Sequence, residues 1–188
     1  MPERDGSALT DEQLLAAVAR GDHAALRELH RRHAAAAVRF AWRMLNDVAE
    51  AEEAVADAFC DVWQQAHRFV GASRVRTWML GIVRHKALDR LRRRQGSPTV
   101  SLEDEESDAQ NLGIAADPED LAMRRQDVER LLWCFEKLNP DQREALYLAV
   151  VEGLTVAEIA CIQAVAPGTV ATRIHHGRRK LRECAQGE

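Results

Sequence analysis

The chain has 188 residues, 46% of them hydrophobic and 30% charged, with a formal net charge of -4. That is enough for one or two small domains with a core each, and the acidic total excludes a protein that coats nucleic acid indiscriminately. No apolar run approaches the roughly 18 residues of a membrane span and the polar N-terminus has no signal-peptide core, so a cytoplasmic location is expected.

Only 5% of the residues are aromatic, while Ala and Leu abound. Helices are therefore expected rather than sheets. The expected fold class is all-α: two small helical domains joined by a flexible acidic linker, the second containing a helix-turn-helix. Residues 1–9 read as a frayed tail. Thr10 to Gln13 is a T-x-x-Q capping box that starts a first helix, and Gly21 stands where a helix end favours a left-handed residue. Asp22 caps a second helix that carries Leu26 and Leu29, runs through Phe40, Met44 and Leu45, and breaks at Asn46-Asp47.

A third helix is expected from about Ala49 to His67, with Ala51, Val55, Ala58, Phe59 and Val62 as its apolar stripe. Its other stripe is Glu50, Glu53, Asp57 and Asp61, spaced to put these carboxylates on one face. Like charges one turn apart repel by about 0.2–0.5 kcal/mol per pair. A solvated face is one reading of the stripe and a basic protein partner is another.

After the loop at 70–73, a fourth helix runs from about Arg76 to Arg94 and buries Leu80, Val83, Ala87 and Leu91. Between Arg74 and Arg94 there are eight Lys or Arg against one acid, Asp89. Phe69 and Trp78 beside the loop read either as core or as stacking partners for opened DNA. Gln95 to Pro118 has little periodicity, and eight acids without a Lys or Arg lie between Glu103 and Asp120. This reads as a linker, giving domains at 10–95 and 118–184 around a linker at 96–117.

The second domain opens with Asp117-Pro118, a cap followed by proline. A helix carrying Leu121, Val128, Leu131, Leu132 and Phe135 ends near Leu138. Asn139-Pro140 starts the next helix, which Gly153 terminates. Thr155 to Glu158 is a T-x-x-E capping box for a short helix through Ile159 and Ile162. After Ala164-Val165-Ala166, Pro167 starts a last helix with Val170, Ile174 and Leu181 inward. A short and a long helix joined this way make a helix-turn-helix. Its second helix enters the major groove, its early residues facing bases and its basic residues holding phosphates. The outward positions there are Gly168, Thr169, Thr172, Arg173, His175, His176, Arg178 and Arg179.

Cys60, Cys134, Cys161 and Cys184 are scattered and never spaced as CxxC, so reduced, partly buried thiols are expected. No cysteine lies at metal spacing from His30 and His33 or from His175 and His176, so no metal or cofactor is expected. Gly-rich phosphate loops, HExxH and GxSxG are all missing. No catalytic residue can be named and the chain is not expected to be an enzyme.

Two segments together resemble a known family. Residues 49–94, with EAEEAVADAFCDVWQQAHRF followed by VRTWMLGIVRHKALDRLRRR, resemble the second conserved region of extracytoplasmic-function sigma factors of the sigma-70 family. Leu138 to Arg182, LNPDQREALYLAVVEGLTVAEIACIQAVAPGTVATRIHHGRRKLR, resembles their fourth region. The resemblance implies a sigma factor that binds core RNA polymerase through the beta and beta-prime subunits and directs it to promoter DNA. Glu50, Glu53, Asp57 and Asp61 would dock on the polymerase clamp helices. Phe69 and Ser73 of the loop, with Arg74, Arg76 and Thr77, would capture a flipped base of the minus 10 element. Arg84, His85, Lys86, Arg90 and Arg92 would lie along the melting duplex, and the helix from Pro167 would read the minus 35 element. The acidic linker would run toward the RNA exit path. An anti-sigma factor is implied as a further partner.

The chain departs from the family where Ala164 replaces the usual turn glycine and Ala166 the usual cap. Ala171 and His176 stand where basic residues are common. Fewer phosphate contacts at minus 35 follow from that. The other functional reading is a stand-alone helix-turn-helix regulator, a dimer on a palindrome without polymerase.

Overall fold

Capping fixes where each helix begins. The computed structural model describes residues 9–96 and 128–186; most of the tail, the linker beyond Gly96, the Asp117-Pro118 start and Leu121 lie outside them. Helix α1 (Asp11–Val18) opens with the expected reciprocal box between Thr10 and Gln13. Helix α2 (His23–Leu45) is capped by Asp22, whose carboxylate accepts from the amides of Ala24 and Ala25, and ends on Asn46 in the left-handed conformation. Helix α3 (Val48–Gln65) is capped by Asp47 and continues into a short 3-10 turn, Ala66–Arg68. Helix α4 (Val75–Gly96) follows the loop. Residues 128–136 are helical and belong to α5. Asn139 caps α6 (Pro140–Val150), and the Thr155–Glu158 box caps α7 (Val156–Gln163). The last helix is α8 (Pro167–Gln186). Among the described residues there is no strand.

Helices α1 to α4 enclose one core, in which Leu15, Leu29, Phe40, Val62 and Val75 are fully buried. The expected stripe of α3 is buried throughout, as are Leu80, Val83 and Ala87 of α4. Phe69 and Trp78 are half-buried and pack on each other at 5.5 Å. Helices α6 to α8 form a second core around Leu148, Ile159 and Val170. Gly177 lets α8 approach α6: a Cβ there would lie 2.7 Å from Leu146 Cδ1. One expectation fails in α5. Val128, Leu131 and Leu132 face outward, at 52%, 50% and 41% exposure, while Cys134 and Leu138 take the inner positions. Residues 131–135, LLWCF, are all apolar, so periodicity alone could not choose the buried face.

The turn of the helix-turn-helix carries strain. Ala164 caps α7 in the left-handed conformation at φ 53°, which costs a residue with a Cβ about 1–2 kcal/mol. Glycine is free of that cost but loses more entropy on folding, about 0.5–1 kcal/mol. Ala164→Gly is therefore expected to stabilise the C-terminal unit, by up to about 1 kcal/mol. Chemical denaturation followed by circular dichroism checks this; a lowered midpoint would contradict the strain.

The two cores are not isolated. Helix α4 packs along α7, and α2 meets α6. Phe40 stacks on Tyr147 there, with ring centroids 6.1 Å apart.

Candidate nucleic-acid interface

The acidic stripe of α3 and the basic stripe of α4 face each other. Arg90 is only 14% exposed and collects three carboxylates. Its Nη1 donates to Glu50 at 2.7 Å and Glu53 at 2.8 Å, and its Nη2 donates to Asp57 at 2.8 Å. The fork geometry of a guanidinium suits such convergence. Glu50 first, then the other acids, holds the Arg90 guanidinium even more firmly protonated than usual. Lys86 pairs with Asp61 at 2.8 Å. Arg94 pairs with Asp47 at 2.7 Å and donates to the Leu45 carbonyl at 3.2 Å. Asp47 is held below the usual carboxylate range, chiefly by the amide of Glu50 and also by Arg94. The like-charge repulsion along α3 thus has an internal answer.

The first half of α4 turns toward the C-terminal unit. Arg84 Nε donates to Glu144 Oε1 at 2.6 Å. Glu144 is 8% exposed, and burial raises its pKa against the opposing pull of Arg84. Arg76 forms an ion pair with Glu152 and donates to the Glu152 carbonyl at 3.0 Å. The Tyr147 hydroxyl donates to the same carboxylate at 3.0 Å, and burial beside that acid pushes its pKa up to about 12. Thr77, fully buried, donates to Glu158 at 3.3 Å. Arg74 lies 3.5 Å from Glu158 yet is 77% exposed. Glu158 is held below its ordinary value mainly by the Thr155 amide of its own capping box, with Arg74 and Thr77 assisting.

The residues expected to meet minus 10 DNA therefore fall into separate groups. Arg74, Arg76, Thr77 and Arg84 contact acids of α6, α7 and the loop between them. Lys86 and Arg90 are bound to α3. His85 and Arg92 are open to solvent, at 69% and 66% side-chain exposure, though both touch Asp89. Phe69 and Ser73 border the loop and are half-buried. A groove between α4 and α7 runs past Ser73, Thr77, Trp78, Arg84, His85 and Cys161.

On α8, Gly168, Thr169, Thr172, His175, Arg178 and Arg179 are exposed on the surface. Thr172 donates to the Gly168 carbonyl at 2.9 Å, and Arg179 sits 3.6 Å from Glu183. His176 is half-buried, its ring 5.6 Å from that of His175. Arg173 differs from the rest. It is 19% exposed, pairs with Asp141 and donates to Gln163 at 2.8 Å, joining α6, α7 and α8. It holds the helix-turn-helix together from within.

Two cysteine expectations need correction. Cys134 and Cys184 form a disulfide between α5 and α8, so they are not a pair of reduced thiols. Cys60 and Cys161 are free but exposed rather than partly buried. A separation of 50 residues gives no spacing signal for the pair. The acceptors Glu144, Glu152 and Glu158 were likewise missed, because nothing local links them to partners 60 to 81 residues earlier. Among the described residues no cluster of His, Cys, Asp and Glu could hold a metal, and no helix is long and apolar enough to cross a membrane.

Comparison with known proteins adds the family context. Residues 29–97 match the Sigma-70 region 2 family and residues 129–181 match Sigma-70, region 4. The RNA polymerase sigma factor CarQ of Myxococcus xanthus is 34% identical over 164 residues, covering 87% of this chain and 90% of that protein. The ECF RNA polymerase sigma factor SigK of Mycobacterium tuberculosis is 29% identical over 175 residues, 92% of each chain. Among solved structures, CnrH in complex with the cytosolic domain of CnrY aligns with a TM-score of 0.67 at 21% identity, over 95% of this chain and 98% of that one. RpoE in complex with the anti-sigma factor NepR from Bartonella quintana aligns at 0.68 and 23% identity, over 86% and 97%. These two likenesses concern the fold.

Proposed function

This chain belongs to the sigma-70 family, among its extracytoplasmic-function members, and we propose that it directs core RNA polymerase to promoters by dividing the work between its two helical units. The observation that carries this is the pair of family regions, in order along one chain, together with a relative that covers most of it. A stand-alone regulator would leave residues 29–97 without a use.

In this reading the domains lie at 10–95 and 118–184, with the linker at 96–117 threading polymerase. Glu50, Glu53, Asp57 and Asp61 dock on the polymerase clamp. The loop with Phe69 and Ser73, and α4 with Arg74, Arg76, Thr77, Arg84, His85, Lys86, Arg90 and Arg92, serve minus 10 recognition and melting. Extruding a base costs a few kcal/mol, roughly offset by stacking and pocket contacts. Gly168, Thr169, Thr172, His175, His176, Arg178 and Arg179 of α8 serve the minus 35 element, and Arg173 supports them through its bonds to Asp141 and Gln163. The chain needs no catalysis of its own, because polymerase supplies nucleotidyl transfer. The site of action is the cytoplasm, and an anti-sigma factor is a fitting regulator, as for the relatives solved with one.

The test separates docking from folding. Glu53 and Asp57 are 70% and 55% exposed, while Glu50, at 32%, still holds Arg90 when both are removed. Glu53→Ala with Asp57→Ala is expected to weaken binding to core polymerase about tenfold, roughly 1.4 kcal/mol, with little change in melting temperature. Unchanged affinity in a fluorescence titration would remove the clamp assignment. Failure of the unmodified chain to start transcripts with core polymerase on any promoter would remove the whole reading.

A further inference from the structure

We infer that Cys134 and Cys184 are a peroxide-oxidisable dithiol whose disulfide fastens α5 to α8. Of residues 128–137, only Cys134 is fully buried, at 1% exposure, with Phe135 half-buried beside it. Val128, Leu131, Leu132 and Trp133 all point outward. Phe135 packs on the core with Arg43 5.5 Å from its ring centroid, and Arg143 donates to the Glu136 carbonyl at 2.6 Å, while the bond from Cys134 ties the same segment covalently to α8.

Beyond Gly177 no residue of α8 is buried; Leu181 and Cys184 are half-buried, one turn apart. The bond from Cys134 to Cys184 joins the last turn of α8 to the described part of α5. Reduction removes that bond and leaves the described part of α5 held by Phe135, by Leu138 just beyond it and by the Arg143 contact to the Glu136 carbonyl.

A protein that works with RNA polymerase sits in a compartment where thiols are kept reduced and disulfides are transient. That is the only point at which the inference rests on the proposed function. Oxidation proceeds in two steps. The Cys184 thiolate, on the more accessible sulfur, attacks hydrogen peroxide, taking one oxygen to become a sulfenic acid while the second leaves as hydroxide and is protonated to water. The Cys134 thiol then displaces that hydroxyl, forming the S–S bond and releasing a second water. Two thiols lose two electrons and one peroxide is reduced to two waters. A cellular dithiol returns the pair to the reduced state by exchange.

Cys60 and Cys161 serve as internal controls, since both are exposed and unpaired in this structure. The full chain is reduced, exchanged into buffer without thiol, and treated with hydrogen peroxide. Differential alkylation with mass spectrometry is expected to show Cys134 and Cys184 protected together in one linked peptide pair, while Cys60 and Cys161 stay alkylatable. Dithiothreitol is expected to reverse this. Hydrogen exchange then reads the consequence: amides of 128–136 are expected to exchange roughly tenfold faster or more in the reduced chain than in the oxidised one, as a locally opened unit does. The core amides of α6 and α7 are expected to change far less.

Two variants guard against misfolding, Cys184→Ser and Cys134→Ala. Each is expected to exchange at 128–136 like the reduced chain and to ignore peroxide. The inference is overturned if Cys134 and Cys184 remain alkylatable after peroxide. Mixed disulfides with Cys60 or Cys161, or equal exchange of α5 in both redox states, would overturn it as well. Transcription activity plays no part in these readouts, so failure of the sigma-factor reading is scored separately.

Discussion

Arg90→Glu is expected to destabilise the N-terminal unit by about 3 kcal/mol, a fall in melting temperature of roughly 10–20 °C for a domain of this size. The reason lies in the comb of acids on α3. Glu50, Glu53 and Asp57 all reach the one guanidinium, which is 14% exposed. Glu53 and Asp57 are themselves largely exposed, so water screens their share and each adds a fraction of a kcal/mol. Glu50, at 32% exposure, carries more. Reversal both removes the clasp and sets a fourth acid among three. Arg90→Lys keeps the charge but offers a single point instead of a fork, and Arg90→Met keeps only the stem. The expected order of loss is Lys, then Met, then Glu. Added salt is expected to shrink the Glu penalty, since part of it is repulsion. Thermal unfolding by circular dichroism at low and high salt checks this; a midpoint unmoved by Arg90→Glu would mean the acids are fully solvated.

That result bears on function. Arg90 was expected to lie on DNA, yet here it neutralises the acids expected to meet polymerase. Any loss of promoter use in an Arg90 variant therefore needs a stability control before it is read as a lost DNA contact. The exposed His85 and Arg92 give cleaner variants.

Local chemistry made the helices readable. Thr10, Asp22, Asn139 and Thr155 each sit where a side-chain oxygen can take an orphan amide, and each does so; Asp47, read only as a break, caps α3 in the same way. The stripe of α3 could be read because the 3.6-residue period needs only near neighbours. Pairing between elements is a different kind of information. The acids of α3 and the bases at 74–94 were expected to meet two different partners, polymerase and DNA, while the chain brings them together as one seam. Arg173 looked like another outward base on α8, and only the approach of Asp141 and Gln163 makes it internal. The exposed face of α5 and the Cys134–Cys184 bond depend on the same long-range geometry. Ala164 lies between these extremes: the turn fixed the need for a left-handed residue, but its identity had to be weighed against the strain it carries.

The second large effect is at the seam between the units, where Arg84→Ala is expected to make their docking pH-dependent. Arg84 faces Glu144 at 2.6 Å, and both side chains are mostly buried. Burial raises the Glu144 pKa even with Arg84 present. Removing the guanidinium leaves that carboxylate buried without its main counter-charge, a loss of about 3 kcal/mol when it must stay ionised. The sign follows from the proton count. Glu144 takes up a proton more readily docked than undocked, so the docked state binds more protons and gains stability as pH falls. In Arg84→Ala the docked form is expected to persist at low pH and to be lost as pH rises through the raised pKa of Glu144. Glu144→Gln is expected to dock with little loss and without that pH dependence, because it removes the charge that burial penalises. Glu144→Lys sets two cations together and is expected to separate the units at every pH. Small-angle scattering against pH, with a disulfide-independent cross-link between α4 and α7 as a second measure, reads the docking directly. Because Arg74, Arg76, Thr77 and Arg84 are in contact with the C-terminal unit when docked, variants that open the seam are expected to raise the chain's own affinity for single-stranded minus 10 DNA. Equal affinity in open and closed variants would mean that the seam does not cover the residues that bind.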